Sequence, residues 1–160
     1  MTDELQLYAG QLKRSLERLC GAIEGLSEAQ LNWRPPAPES NSIYVIATHI
    51  LGNAEAWVLG IACGQPIERD RPAEFRAAGT DAAPIIARAR DLSRRIDEAL
   101  RDLSPESLDE LREPRQRLWG AGTAEPVTGR EALMHVIEHA SIHLGQIDVT
   151  RDLALANAKG

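Results

Sequence analysis

The stretch Thr128-Gly-Arg-Glu131-Ala-Leu-Met-His135-Val-Ile-Glu-His139-Ala-Ser-Ile-His143-Leu-Gly-Gln-Ile147 decides how the rest of the chain is read. Thr128 and Glu131 stand in capping-box register, which predicts a helix start at that point. Leu133, Val136, Ala140, Leu144 and Ile147 then recur at spacings of three and four, the pattern of a helix with one apolar face. The helix is expected to continue to about Leu155. His135, His139 and His143 fall at i, i+4 and i+8, and each step of four turns the helix face by only about 40°. Three imidazoles therefore stack along nearly one side.

The apolar residues set which of them look inward. With His139 as zero, the apolar set occupies roughly +60° to +140°. His143 lies beside that arc at about +40° and His139 at its margin, whereas His135 lies at about −40°. His139 and His143 are thus the better ligand pair, and His135 is placed at the mouth of a site or on the surface. Gln146 falls in angle between His135 and His139. Glu138, at about −100°, points away from the core and reads as a surface carboxylate.

Working outward, three more long helices are expected. Leu5, Leu12, Leu16, Leu19 and Ile23, with Tyr8, mark one over about Asp3 to Glu24, stopped by Gly25. Ser27 and Gln30 form a second capping-box pattern for one short turn, and Pro35, Pro36 and Pro38 forbid helix after it. A second long helix starts at Asn41 or Ser42, carries Ile43, Ile46, Ile50, Ala54, Trp57 and Ile61 on its stripe, and ends by Gly64 and Pro66. Residues 65 to 80 read as a surface loop. A third helix opens at Thr80 or Asp81, with Pro84 in its first turn and Ile85, Ala89, Leu92, Ile96, Ala99 and Leu103 on its stripe. Residues 104 to 127 are irregular, with one short helix from Ser104-Pro105 and room for a short extended hairpin. Four long helices predict an all-α four-helix bundle with an irregular excursion before the last helix. The 160 residues fit a single domain.

Composition agrees. Hydrophobic residues make up 43% and aromatics only 4%, so the core must be aliphatic, which suits helix packing. The net charge of −6, with arginines interleaved among acids, argues against a nucleic-acid partner. Two cysteines, Cys20 and Cys63, make no CxxC motif or disulfide framework. The acidic start lacks a signal-peptide pattern, and no apolar run is expected to approach the roughly 20 residues of a membrane span. A reducing cytoplasm is the expected compartment.

His49, the fourth histidine, is bracketed on the second helix by Ile46, Ile50, Asn53 and Trp57, so it too can face the bundle interior. Taken alone, it also reads as a packed, hydrogen-bonded core residue. Joined to His139 and His143, it makes a three-nitrogen site with a position left for water or substrate. Three imidazoles suit several divalent ions. Trp33, Asn53, Trp57, His135 and Gln146 are candidates to line the pocket.

The segment from His135 to Ile147, ending His-x-x-x-His-Leu-Gly-Gln-Ile, resembles the last-helix motif of the DinB-like superfamily. Leu31-Asn-Trp-Arg-Pro35 and Asn41-Ser-Ile-Tyr-Val-Ile-Ala-Thr-His49 resemble the start of that superfamily's second helix, and the match is weak between 65 and 127. The resemblance implies an up-down-down-up bundle, often a homodimer, holding zinc or nickel on residues that fall at His49, His139 and His143. It further implies a metal-dependent hydrolase of small molecules, or a transferase or isomerase using a low-molecular-weight thiol. Two other readings compete. The ion could be structural, or bound without turnover. Alternatively His135-Val-Ile-Glu138-His139 matches the H-x-x-E-H pattern of inverted zincins, with Glu138 as the base. A di-iron carboxylate bundle is disfavoured because no glutamate stands three residues before a histidine.

Overall fold

The computed structural model describes residues 2–157. Four long helices dominate: α1 (Asp3–Ile23), α3 (Ile43–Ala54, running on into a wider turn over Glu55–Ala62), α5 (Ala83–Asp102) and α7 (Gly129–Asn157). Between them lie α2 (Glu28–Asn32), α4 (Arg71–Glu74), a 3₁₀ turn (Pro105–Leu108), α6 (Gln116–Trp119), and the two-residue strands β1 (Leu111–Arg112) and β2 (Val127–Thr128).

The starts and stops follow from local chemistry. Thr2, Ser27 and Ser42 each accept a backbone N–H from the first turn of their helices, filling a donor that has no partner inside the helix. Thr128 and Glu131 close the expected capping box on α7: Glu131 accepts from the Thr128 N–H at 2.7 Å, and the Glu131 N–H donates to the Thr128 hydroxyl at 3.2 Å. Gly25, at φ +78°, takes the left-handed step that lets the chain leave α1.

Side-chain contacts fix the directions. Glu4 pairs with Arg130 and Arg18 with Asp148, so α1 and α7 run parallel. His49 meets His139 and Asn53 meets His135, so α3 runs against α7. The second half of α1, at Glu17 and Cys20, lies beside the first half of α5, at Ala89 and Arg90. The result is an up-down-down-up four-helix bundle. Its core is aliphatic: Leu12, Leu16 and Leu19 from α1, Ile46 and Ile50 from α3, Leu92 and Ile96 from α5, and Leu133, Val136 and Ile147 from α7 are all buried. Each such side chain contributes about 1.5–3 kcal/mol on burial.

Four sequence expectations need correction. The α5 stripe ends on Leu100, which is fully buried, rather than on Ala99 and Leu103, which are only partly covered. The α5 start is also later than Thr80 or Asp81: Ala82 occupies the cap and Asp81 accepts from the Ala83 N–H. Residues 65–80 are not merely a surface loop, because they contain α4 and bury Glu74. Finally, Ile43–Ala62 is long and apolar enough to pass for a membrane span. However, 83% of its most apolar window is buried inside the bundle, and Glu55 within it is paired with Arg88 and Arg95. The irregular excursion does contain the expected short hairpin, with Leu111 opposite Thr128 and Arg112 opposite Val127.

One feature of α3 has no sequence signal. From Glu55 the hydrogen bonds lengthen to i→i+5, as in Cys63 N–H to Val58 C=O at 2.9 Å. Such π-helical turns are rare and concentrate at functional sites. This one carries Trp57.

Candidate metal centre

His49 sits midway along α3 and is 6% exposed. Its Nδ1 lies 2.7 Å from Glu74 Oε2. Glu74, the last residue of α4, is equally buried, and Arg69 grips the same carboxylate through Nε at 2.8 Å and Nη2 at 3.0 Å. Burial pushes the Glu74 pKa up, but the hydrogen bonds from His49 and Arg69 outweigh it and hold the carboxyl below its ordinary value. An ionised Glu74 can only accept, so His49 donates its Nδ1 proton and presents the Nε2 lone pair. That lone pair faces His139 Nε2, 3.1 Å away.

Glycine makes this arrangement possible. A Cβ on Gly52 would stand 2.1 Å from Glu74 Oε1. Gly52 is one turn past His49, so the bare helix surface there is where the carboxylate lies.

On α7, His143 Nδ1 is 2.7 Å from Gln146 Oε1. An amide oxygen accepts, so Nδ1 carries the proton and Nε2 of His143 is again the free nitrogen. One candidate ligand atom from each of His49, His139 and His143 lies within 4.8 Å of the others. Two nitrogens bound tetrahedrally to one zinc at about 2.0–2.1 Å stand about 3.3 Å apart. The His49–His139 spacing already matches that, and the widest separation is within the sweep of one imidazole rotating about its side-chain torsions. The donor set is chemically suited as well. Burial, joined by the neighbouring His143, His49 and His135 and by Arg69, pushes His139 down to about 2, and burial also lowers His143. Both stay neutral, the state that binds a metal.

His135 stands apart from this group. Its ring stacks on Trp57 with centroids 3.7 Å apart, and its Nε2 lies 3.3 Å from the Asn53 amide nitrogen. Glu138 is exposed. A cavity of about 470 Å³ adjoins the site. Asn53, Trp57 and His135 line it together with His49 and His139, but Trp33 and Gln146 do not. Trp33 closes the end of α2, and Gln146 is occupied in holding the His143 ring. Trp119, Gly120 and Ala121 from the excursion and Arg69 and Arg71 beside α4 complete much of the wall. Sequence reading missed Gly52, Arg69, Arg71, Glu74 and Trp119. The unexplained glycine inside an apolar helix is the one available signal. The cysteines lie outside the site, and burial pushes the Cys63 thiol up to about 11, leaving it protonated.

Comparison with known proteins agrees with this architecture. A crystal structure of a DinB-like protein from Bacillus cereus ATCC 10987 superposes with a TM-score of 0.69 at 21% identity, covering 94% of this chain and 89% of that one. A conserved protein from Enterococcus faecalis gives 0.73 at 19% identity, over 98% and 99% of the two chains. A DinB-like protein from Bacillus subtilis gives 0.62 at 21%, over 94% and 92%. No curated protein matches in sequence. The sequence model described as the DinB superfamily matches residues 11–147, and the chain belongs to that superfamily.

Proposed function

We propose that this chain is a mononuclear metal enzyme acting on a small molecule, with His49, His139 and His143 as the ligands of one divalent ion, zinc or nickel. The observation that carries the reading is the convergence of three imidazoles, two of them oriented by their own partners, beside an accessible cavity. A ligand set of three side chains leaves a coordination position open, the pattern of catalytic rather than structural sites.

Bound there, the ion would lower the pKa of a water toward about 7, or hold a low-molecular-weight thiol as thiolate, so that hydrolysis and thiol-dependent transfer both follow from one centre. The chain's residues do the rest. Glu74 and Gln146 fix the tautomers of His49 and His143 so that Nε2 faces inward. The hydrogen bonds from His49 and Arg69 together keep Glu74 ionised against its burial. Trp57 and Trp119 give the cavity an apolar wall that restricts water around the reacting group. The inverted-zincin alternative is disfavoured, because His135 is engaged by Trp57 and Asn53 and Glu138 faces outward.

The test is elemental analysis of protein purified without a nickel column, alongside His49→Ala and His143→Ala. The wild type is expected to carry about one equivalent of metal and both variants to lose most of it. Full metal content in both folded variants would overturn the assignment. Turnover assays with and without added thiol then separate hydrolysis from transfer.

A further inference from the structure

The cavity beside the three histidines holds a charge that ion binding does not use. Arg71, at the start of α4, lines it and is half-buried. Its guanidinium carbon stands 4.8 Å from the centre of the Phe75 ring, and no carboxylate partner is found for it among the described residues. Arg69, in the same wall, is the opposite case: its nitrogens are committed to Glu74 and to the Leu118 carbonyl. A partly desolvated guanidinium with no counter-ion favours an anion, and its planar fork fits a carboxylate in particular.

The surroundings narrow the ligand further. Trp57, Trp119 and Val127 make part of the wall apolar. Glu131 is the one carboxylate in the lining, and it is already held by the N–H and hydroxyl of Thr128. Phe75 links Arg71 to the histidines, since its ring centre is also 4.8 Å from that of His49. The cationic and ion-holding parts of the cavity are therefore two ring contacts apart. A volume of about 470 Å³ accommodates a small organic molecule spanning both.

The geometry points to a substrate class for this site: a small organic carboxylate with an apolar body, its carboxylate on Arg71 and its reacting group toward His49 and His139. This rests on the metal-enzyme reading above. The test is calorimetric titration of the zinc-loaded full-length chain with three probes: benzohydroxamate, 4-carboxybenzohydroxamate and 4-(aminomethyl)benzohydroxamate. The hydroxamate supplies a metal-binding end, and only the far substituent changes. The wild type is expected to bind the carboxylated probe at least tenfold more tightly than the parent. That ratio is expected to fall toward one in Arg71→Ala and Arg71→Gln. Equal affinity for the three probes, or preference for the ammonium probe, overturns anion recognition while the metal reading stands. Parent binding that persists undiminished without zinc and in His143→Ala overturns the metal reading and this proposal together. The wild-type ratio decides the matter even if an Arg71 variant fails to fold.

Discussion

Glu74 receives the Nδ1 proton of His49 at 2.7 Å, with both side chains less than a tenth exposed. The contact joins residues 25 positions apart and makes an imidazole of the bundle core directional. Replacing Glu74 by Gln keeps the shape but removes the charge. Metal affinity is expected to fall about 10–100-fold, the usual effect of losing such a supporting carboxylate. Arg69 would then be left buried without its counter-charge, which costs about 3–5 kcal/mol. Zinc titration against a competing chelator reads the first effect and urea denaturation the second. Unchanged values in both would remove Glu74 from the site.

Gly52→Ala separates helix preference from space. Alanine is favoured over glycine in a helix interior by about 1 kcal/mol, so a site with room should gain stability. Gly21, in α1, is that control, because nothing lies within 4 Å of where its methyl would stand. At Gly52 the methyl would collide with the Glu74 carboxylate. Gly52→Ala is expected to lose stability and weaken metal binding, while Gly21→Ala gains about 0.5–1 kcal/mol. Equal gains in both, measured by denaturant midpoint, would show that Glu74 does not need this surface.

Acid should destabilise the metal-free protein well before its carboxylates titrate. An unfolded histidine takes up a proton near 6.5, whereas folded His139 resists protonation down to about 2. The unfolded state therefore binds more protons between those values, and stability falls as pH drops through that window. One such site gives a slope of up to about 1.4 kcal/mol per pH unit. His135 and His143 are shifted in the same direction and steepen it. Stability measured from pH 7 to 5 should decline accordingly, and His139→Asn should flatten the curve. An identical slope in that variant would rule out His139 as the source.

His135→Ala gives a two-sided check on the ligand set. Metal content is expected to stay near that of the wild type, because the ring stacks on Trp57 rather than joining His49, His139 and His143. Tryptophan fluorescence is expected to change, since the variant removes a ring 3.7 Å from the indole. Loss of metal with unchanged fluorescence would favour the His135-Glu138-His139 arrangement instead.

Much of this architecture can be read from periodicity and capping. The stripe on α1, the Ser42 cap of α3 and the Thr128–Glu131 box of α7 each depend on neighbours within a few residues, so their cause is local. The angular placement of His139, His143 and His49 is legible for the same reason, because a helix converts spacing into direction. Glu74 is not legible. It lies in a proline-containing segment without periodicity, and its burial depends on a helix surface made bare by Gly52. Arg69 just before α4, Arg71 at its first residue and Trp119 at the end of α6 sit on short elements whose placement is set by tertiary packing. The π-helical turn likewise has no local signature, since its i→i+5 bonds follow from how Trp57 and its neighbours pack.

The hairpin of β1 and β2 pins both ends of the segment that delivers Trp119, Gly120 and Ala121 to the cavity. That segment contains none of the three histidines, nor Glu74 or Gln146. Mutations accumulating between the two pinned ends can thus reshape what the cavity admits while the ion's cage is inherited intact. A lineage built on this scaffold is free to diversify its chemistry's clientele by rewriting one short tethered stretch.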